Sequence, residues 1–301
     1  MWNEYKKGFH QFLLLEKSLS SNSIEAYLHD LDLLIQYLES KQIIEPPSNI
    51  TYQNLSGFIS FINEIGMSAT SQSRIISGIR GFYKYCASEN IVQSNPAILL
   101  ESPKPGRKLP DTLTVEEIQK LLDGIDLSTP EGTRNKAILE IMYGCGLRVS
   151  EVTGLLISNI YPAEEYIRVT GKGNKERLIP IGREALKNIE VYINQVRKLQ
   201  PICKGYEDVL FLNRRGKSLS RVMIFMLIKD LAKKINLQKN ISPHTFRHSF
   251  ATHLVEGGAD LRAVQQMLGH ESITTTEIYT HLNKQYLRDT IYHFHPAYNR
   301  K

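Results

Sequence analysis

The chain has little of what would tie it to a secreted scaffold, a membrane or a metal. Its three cysteines, Cys86, Cys145 and Cys203, are widely spaced in 301 residues. That number and spacing support neither a disulfide framework nor a C-x-x-C site, and they point to a reducing, cytoplasmic setting. No apolar run approaches membrane-spanning length, and the start, MWNEYKKGFH, lacks the layout of a signal peptide, so no membrane insertion is expected. His244 and His248 stand four apart, but the zinc-protease pattern H-E-x-x-H is missing, so no metal is expected. Gly144 and Gly146 are not followed by the rest of G-x-G-x-x-G. Lys172 lies between two glycines without the P-loop pattern around it. No cofactor is expected. Internal repeats and low-complexity tracts are also missing.

What is present describes a globular protein. Hydrophobic residues make up 42% and charged residues 23%, which excludes a disordered chain, and the length allows two domains with cores of their own. The net charge of +6 permits a polyanionic partner without requiring one.

The first hundred residues read as helices. Tyr5, Phe9 and Phe12 mark one amphipathic segment. Asn22 and Glu25 suggest a cap for the next, in which Ile24, Tyr27, Leu28, Leu31, Leu34, Ile35 and Leu38 keep a helical period. A third helix is expected from about Thr51, burying Leu55, Phe58, Ile59 and Ile62. The fourth, from about Ala69 to Ser88, gathers Ile75, Ile76, Ile79, Phe82, Tyr83 and Cys86 on one side and Arg74, Ser77, Arg80 and Lys84 on the other. Such a face is either simply solvated or suited to a phosphate backbone and major groove. From Gln93 to Thr112, Pro96, Pro103, Pro105 and Pro110 alternate with Lys104, Arg107 and Lys108, which reads as a semi-rigid basic linker.

The second half opens on Thr114 and Glu117, a capping box. A helix is expected from about Thr133 to Tyr143. Gly144 and Gly146 break it, and Arg148 and Glu151 begin the next. Residues 166–181 look like two strands around the turn that carries Lys172, a position whose default is a solvated lysine. A helix through Leu186, Ile189 and Ile193 follows, then a strand-like run from Val209 to Leu212, a basic turn and a helix from Ser220 to Ile235.

The most informative stretch is SPHTFRHSFATHLVEGGADLRAVQQMLGHESITTTEIYTH, Ser242 to His281. Ser242 and Pro243 read as N-cap and first turn, so His244 and Arg247 share one helical face. Gly257 and Gly258 end that helix, Asp260 caps the next, and Gly269 stops it, leaving His270 at a helix C-terminus. Thr274 and Glu277 have capping-box spacing for a short helix carrying Tyr279. Taken singly, each of these is an ordinary histidine, arginine or tyrosine. The order H-x-x-R, then L-G-H, then a tyrosine nine positions on is specific.

With Arg148 and Glu151 in G-C-G-L-R-V-S-E, this order resembles the tyrosine recombinases (the phage integrase family). Within them it resembles the Xer chromosome-dimer recombinases, over essentially the full length. SPHTFRH and ESPKPGRKLP lean towards the XerD branch. The resemblance implies a mainly α protein with a small antiparallel β-sheet. Residues 1–100 would form an all-helical, SAM-like DNA-binding domain, 101–112 a basic linker, and 113–301 an α+β catalytic domain with a tail at 283–301. It also implies a DNA-contacting role for Arg74, Ser77, Arg80 and Lys84.

The chemistry implied is cleavage and rejoining of DNA. A phosphodiester resists attack because its oxygens are negative and its leaving group is a poor alkoxide. The resemblance implies that Arg148, Arg247 and His270 hold the nonbridging oxygens and that Tyr279 attacks, leaving a 3′-phosphotyrosyl bond. A phenol with a reference pKa of about 10 is ionised about one part in a thousand at neutral pH, so it needs help, and His244 is a candidate proton acceptor. Lys172 is implied as general acid to the 5′ oxygen and Glu151 as the residue that orients the cluster. The partners implied are double-stranded DNA with a specific recombination site, a cyclic tetramer with a paralogous XerC-like recombinase, and a septal DNA translocase of the FtsK type. The tail, with Leu287, Ile291 and Phe294, is expected to dock into a neighbouring protomer of that ring; packing on its own domain is the alternative. A mobile-element integrase, a type IB topoisomerase and a catalytically idle architectural protein are the rival readings.

Overall fold

The computed structural model describes residues 2–103, 111–171, 174–269 and 281–298, the last range without the side chains of its first four residues. The chain divides into two compact units, 1–108 and 109–301.

The first unit is built from α1 (Trp2–Leu15), α2 (Ser21–Ser40), α3 (Tyr52–Glu64) and α4 (Ala69–Ser88). Their apolar stripes meet in one core that includes Phe9, Leu31, Leu34, Leu55, Phe58, Ile75, Ile79 and Phe82. The caps are local hydrogen bonds. Thr51 Oγ1 accepts from the Asn54 N–H at 3.3 Å, and Ser68 Oγ from the Ser71 N–H at 3.2 Å. One cap lies elsewhere than expected. α2 starts from Ser20, whose hydroxyl accepts from the Ser23 N–H at 3.4 Å, so Asn22 and Glu25 fall inside the first turns.

The second unit is organised around α6 (Pro130–Gly144), which is buried on almost every side from Ala137 to Gly144. A helix buried on most sides is a core helix, here with Glu140 buried among the apolar residues, and α6 packs against α5 (Val115–Asp123), α8 (Arg183–Gln195) and α10 (Pro243–Glu256). A three-stranded antiparallel sheet lies in the order β1 (Ile160–Tyr161), β2 (Tyr166–Thr170) and β3 (Glu176–Pro180), with Val169 opposite Arg177. The short strand β1 has no counterpart in the expectation. Among the described residues the remaining α-helices are α7 (Val149–Thr153), α9 (Arg221–Lys234), α11 (Leu261–Leu268) and α12 (His281–Phe294).

The expected strand at Val209–Leu212 is not one. Its residues make only isolated bridges, Leu156 with Val209 and Leu212 with Ser218. The buried guanidinium of Arg197 takes the carbonyls a ladder would have used: Val209 at 2.8 Å, Glu207 at 2.6 Å and Leu210 at 3.2 Å. A charged donor satisfies several backbone acceptors at once, and sheet pairing is no longer needed there.

The tail packs on its own unit. Leu287 and Ile291 of α12 are buried with Phe250, Leu254, Val264 and Met267. Arg288 and Tyr292 both bind the Glu165 carboxylate, Tyr292 Oη donating at 2.7 Å. Tyr298 Oη donates to the Pro180 carbonyl at 3.1 Å. The segment expected to reach a neighbour is therefore held in this chain by an apolar stripe and an ionic cluster. Among the described residues, no helix is long and apolar enough to cross a membrane.

Candidate functional site

The site is built on the last turn of α11. Asp260 caps the start of this helix, Oδ2 accepting from the Ala263 N–H at 3.4 Å, and Gly269 ends it at φ +64°, in the left-handed region that favours glycine. The last carbonyls of a helix have no partner within it and form its negative pole. Here three successive carbonyls receive three arginines from three other elements. Arg177 Nε of β3 donates to Met267 O at 2.8 Å. Arg247 Nη2 of α10 donates to Leu268 O. Arg148 Nη2, at the start of α7, donates to Gly269 O at 3.3 Å.

Each arginine arrives by a local rule. Gly146, at φ +60°, turns the chain out of α6 towards Arg148; a Cβ there would come within 2.4 Å of the Phe250 ring. Arg247 lies one turn into α10, where Ser242 and Thr245 form the cap, the Ser242 N–H donating to Thr245 Oγ1 at 3.0 Å. It also donates to Gly146 O at 2.7 Å and is 8% exposed. Burial pushes the Arg247 guanidinium down to about 10, with Arg148 and Arg177 adding repulsion and Glu151 opposing it, so it stays charged at neutral pH.

Glu151 ties the arginines together. Its carboxylate accepts from Arg177 Nη1 at 2.7 Å and Nη2 at 2.9 Å, from Arg148 Nη1 at 2.9 Å and from the Arg148 N–H at 2.7 Å. Burial pushes this acid up, but the Arg177 fork and the Arg148 contacts overcome burial and hold it below the usual glutamate range. A paired, ionised Glu151 keeps Arg148 pointed while neutralising only part of the cluster's positive charge. An electropositive pocket with directed donors can bind a phosphate and stabilise charge as it develops there.

The structure brings together Arg148, Glu151 and Arg247. His244 sits one turn before Arg247 on α10 and is exposed. Lys172, His270 and Tyr279 lie outside the described residues, as does the expected cap at Thr274 and Glu277. Their described neighbours are informative. A Cβ on Gly171 would lie 3.2 Å from Arg177 Nη1, and one on Gly269 3.1 Å from Arg177 Cδ. The residues that precede Lys172 and His270 therefore both rest against Arg177.

Arg177 was missed in the sequence. The signal was there: it occupies a buried position of an alternating strand, opposite Val169, where an apolar residue is the rule. An arginine on that face needs an internal partner.

On α4 of the first unit, Arg74, Ser77, Arg80 and Lys84 are all exposed. They are not equally free. Arg74 Nη1 lies 2.6 Å from Oδ1 of Asp30, which is 1% exposed and pressed against Gly78. Burial pushes the Asp30 acid up and Arg74 pulls it back in part. Ser77 donates to Ser73 O at 2.8 Å, and Arg80 donates to Leu100 O.

Residues 111–286 match the phage integrase family, and residues 7–90 match its N-terminal SAM-like domain. A protein named tyrosine recombinase XerD from Halalkalibacterium halodurans is 43% identical over 98% of each chain. One of that name from Staphylococcus aureus is 43% identical over 95% of this chain and 96% of its own. The crystal structure of the XerH site-specific recombinase bound to palindromic difH substrate, a post-cleavage complex, is similar with a TM-score of 0.70 and 26% identity, covering 89% of this chain and 79% of that one. The arginine cluster thus stands within a chain matched along nearly its whole length, and the chain belongs to the phage integrase family, the tyrosine recombinases.

Proposed function

We propose that the chain is a site-specific DNA recombinase that cuts and rejoins two duplexes through a 3′-phosphotyrosyl intermediate and a Holliday junction, resolving chromosome dimers at cell division. The observation that carries this reading is the convergence of Arg148 and Arg247 on Leu268 O and Gly269 O, at the point where the chain continues into His270. Two fixed guanidiniums suit the nonbridging oxygens of one phosphate. Tyr279 attacks phosphorus, its proton passing to His244, while Lys172 protonates the departing 5′ oxygen and His270 adds a hydrogen bond to the phosphate. The P–O energy is kept in the tyrosyl ester, so the 5′ hydroxyl of another strand can rejoin it without ATP.

Arg80 and Lys84, with Ser77, are the DNA-contacting residues of the first unit in this reading. Arg74 joins them only by giving up part of its hold on Asp30. The reading extends to a cyclic tetramer on DNA, shared with a paralogous XerC-like recombinase and activated by a septal translocase of the FtsK type, and to a cytoplasmic location; these rest on the family resemblance.

The test is a nicked duplex, its sequence selected from a randomised pool by the wild-type chain. Wild type should form a covalent adduct that maps to Tyr279. Tyr279→Phe should bind the duplex and form none. An adduct on any other tyrosine would sink the assignment.

A further inference from the structure

We infer that Arg177 is a positioning residue for strand cleavage, which holds the Arg148–Glu151 pair in register with the end of α11. The inference rests on the recombinase reading above and adds to it a residue that touches no DNA.

Arg177 is 6% exposed, and each of its three guanidinium nitrogens donates to a protein acceptor. One edge forms a two-point fork on Glu151, at 2.7 and 2.9 Å, and Nε caps Met267 O at 2.8 Å. Its donors are turned to Glu151 and Met267. Glu151 in turn holds Arg148 through a side-chain contact of 2.9 Å and a backbone contact of 2.7 Å. Arg148 is more exposed than Arg177, with 30% of its side chain accessible against 6%. The order of contacts runs from α11 to Arg177, to Glu151, to Arg148, and from Arg148 back to Gly269 O. A closed loop of charged hydrogen bonds of this kind has one low-energy geometry, since moving any member breaks two contacts.

The planar fork is what the position requires. Lysine would carry the same charge but could not reach both Glu151 oxygens and Met267 O from a single nitrogen. Gly171 and Gly269 let the chain pass close to Arg177, since a Cβ on either would crowd its side chain.

The experiment measures single-turnover adduct formation on the selected nicked duplex, together with duplex affinity and thermal melting. Arg177→Met should slow cleavage about a hundredfold, the order expected when a catalytic group is misplaced by about 1 Å, and leave duplex affinity unchanged. Arg177→Lys, which keeps the charge and should fold where Arg177→Met is weakened, should also cleave slowly at temperatures well below its melting point. A residue needed only for folding would be rescued there. The second readout is a double-mutant cycle with Arg148→Lys. If Arg177 acts by aiming the Arg148 fork, its loss should cost little once that fork is gone, so the two effects should not multiply. Wild-type rates in both Arg177 variants, or effects that multiply in the cycle, would overturn the inference while leaving the recombinase reading intact. Failure of the wild-type chain to select a duplex or form an adduct would instead overturn that reading, and this inference with it.

Discussion

Arg177 Nε donates to Met267 O across 90 positions of sequence, so a strand residue caps a helix that ends beside it in space. The relationship sets the chemistry of the site. The last carbonyls of α11 would attract any cation, and Arg177, Arg247 and Arg148 take one each. The backbone leading to His270 starts from a point fixed by three charges.

Glu151 makes this cluster sensitive to acid. Its folded acid lies below the ordinary value of 4.5, so it contributes stability above that value and loses it as pH falls from 4.5 through the lower folded value. Glu151→Gln leaves Arg177 without a counter-charge and should cost about 3 kcal/mol at neutral pH. The melting difference between wild type and variant should shrink as pH drops below 4.5. A difference that is constant with pH would mean that Glu151 is not ionised in the folded protein.

Lys172→Ala should slow cleavage by about two to four orders of magnitude, the range for loss of a general acid. A 5′-phosphorothiolate duplex has a leaving group that needs no proton and should restore the rate. If it does not, Lys172 has a role other than proton donation.

The basic face of α4 should separate into two kinds of residue. Arg80→Ala and Lys84→Ala should each reduce the salt slope of duplex binding by about one; Lys84→Ala should leave melting unchanged, and Arg80→Ala should lower it slightly, since it frees Leu100 O. Arg74→Ala removes the cation from a buried Asp30 and should cost about 1–3 kcal/mol of stability. Changing Asp30 to Asn in that variant should recover most of it. A salt slope untouched by all three alanine variants would return α4 to a solvated face.

Removal of residues 284–301 should destabilise the second unit. It uncovers Phe250, Leu254 and Met267, which Leu287 and Ile291 now cover. Leu287→Ala should cost about 2–5 kcal/mol, the usual range for a buried leucine. Arg288→Ala should cost less, because it loosens α12 from Glu165 without opening the core. Calorimetry of the three proteins orders these effects; a truncated chain that melts like wild type would show that α12 contributes no stability to its own unit.

The helices were readable because their rules act within a few residues. Thr51, Thr114, Ser242 and Asp260 start helices where the sequence marks them, and Gly269 stops one. The apolar stripe of α4 and the hairpin of β2 and β3 follow from side-chain period alone. Ser20 rather than Asn22 caps α2 because two serines and an asparagine compete within one turn, and local chemistry hardly separates them.

The rest depends on which distant side chains packing brings together. Nothing near Val209 announces that Arg197 will take its carbonyl, and nothing near Arg74 announces a buried Asp30 on another helix. Arg148 and Arg247 could be read as phosphate ligands from their motifs. That they meet on one helix end, held there by Arg177 and Glu151, could not. A cap or a period is an interaction over three or four residues, fixed by backbone geometry. A buried guanidinium chooses its acceptors from whatever the folded core leaves unpaired, and that choice exists only once the chain is packed.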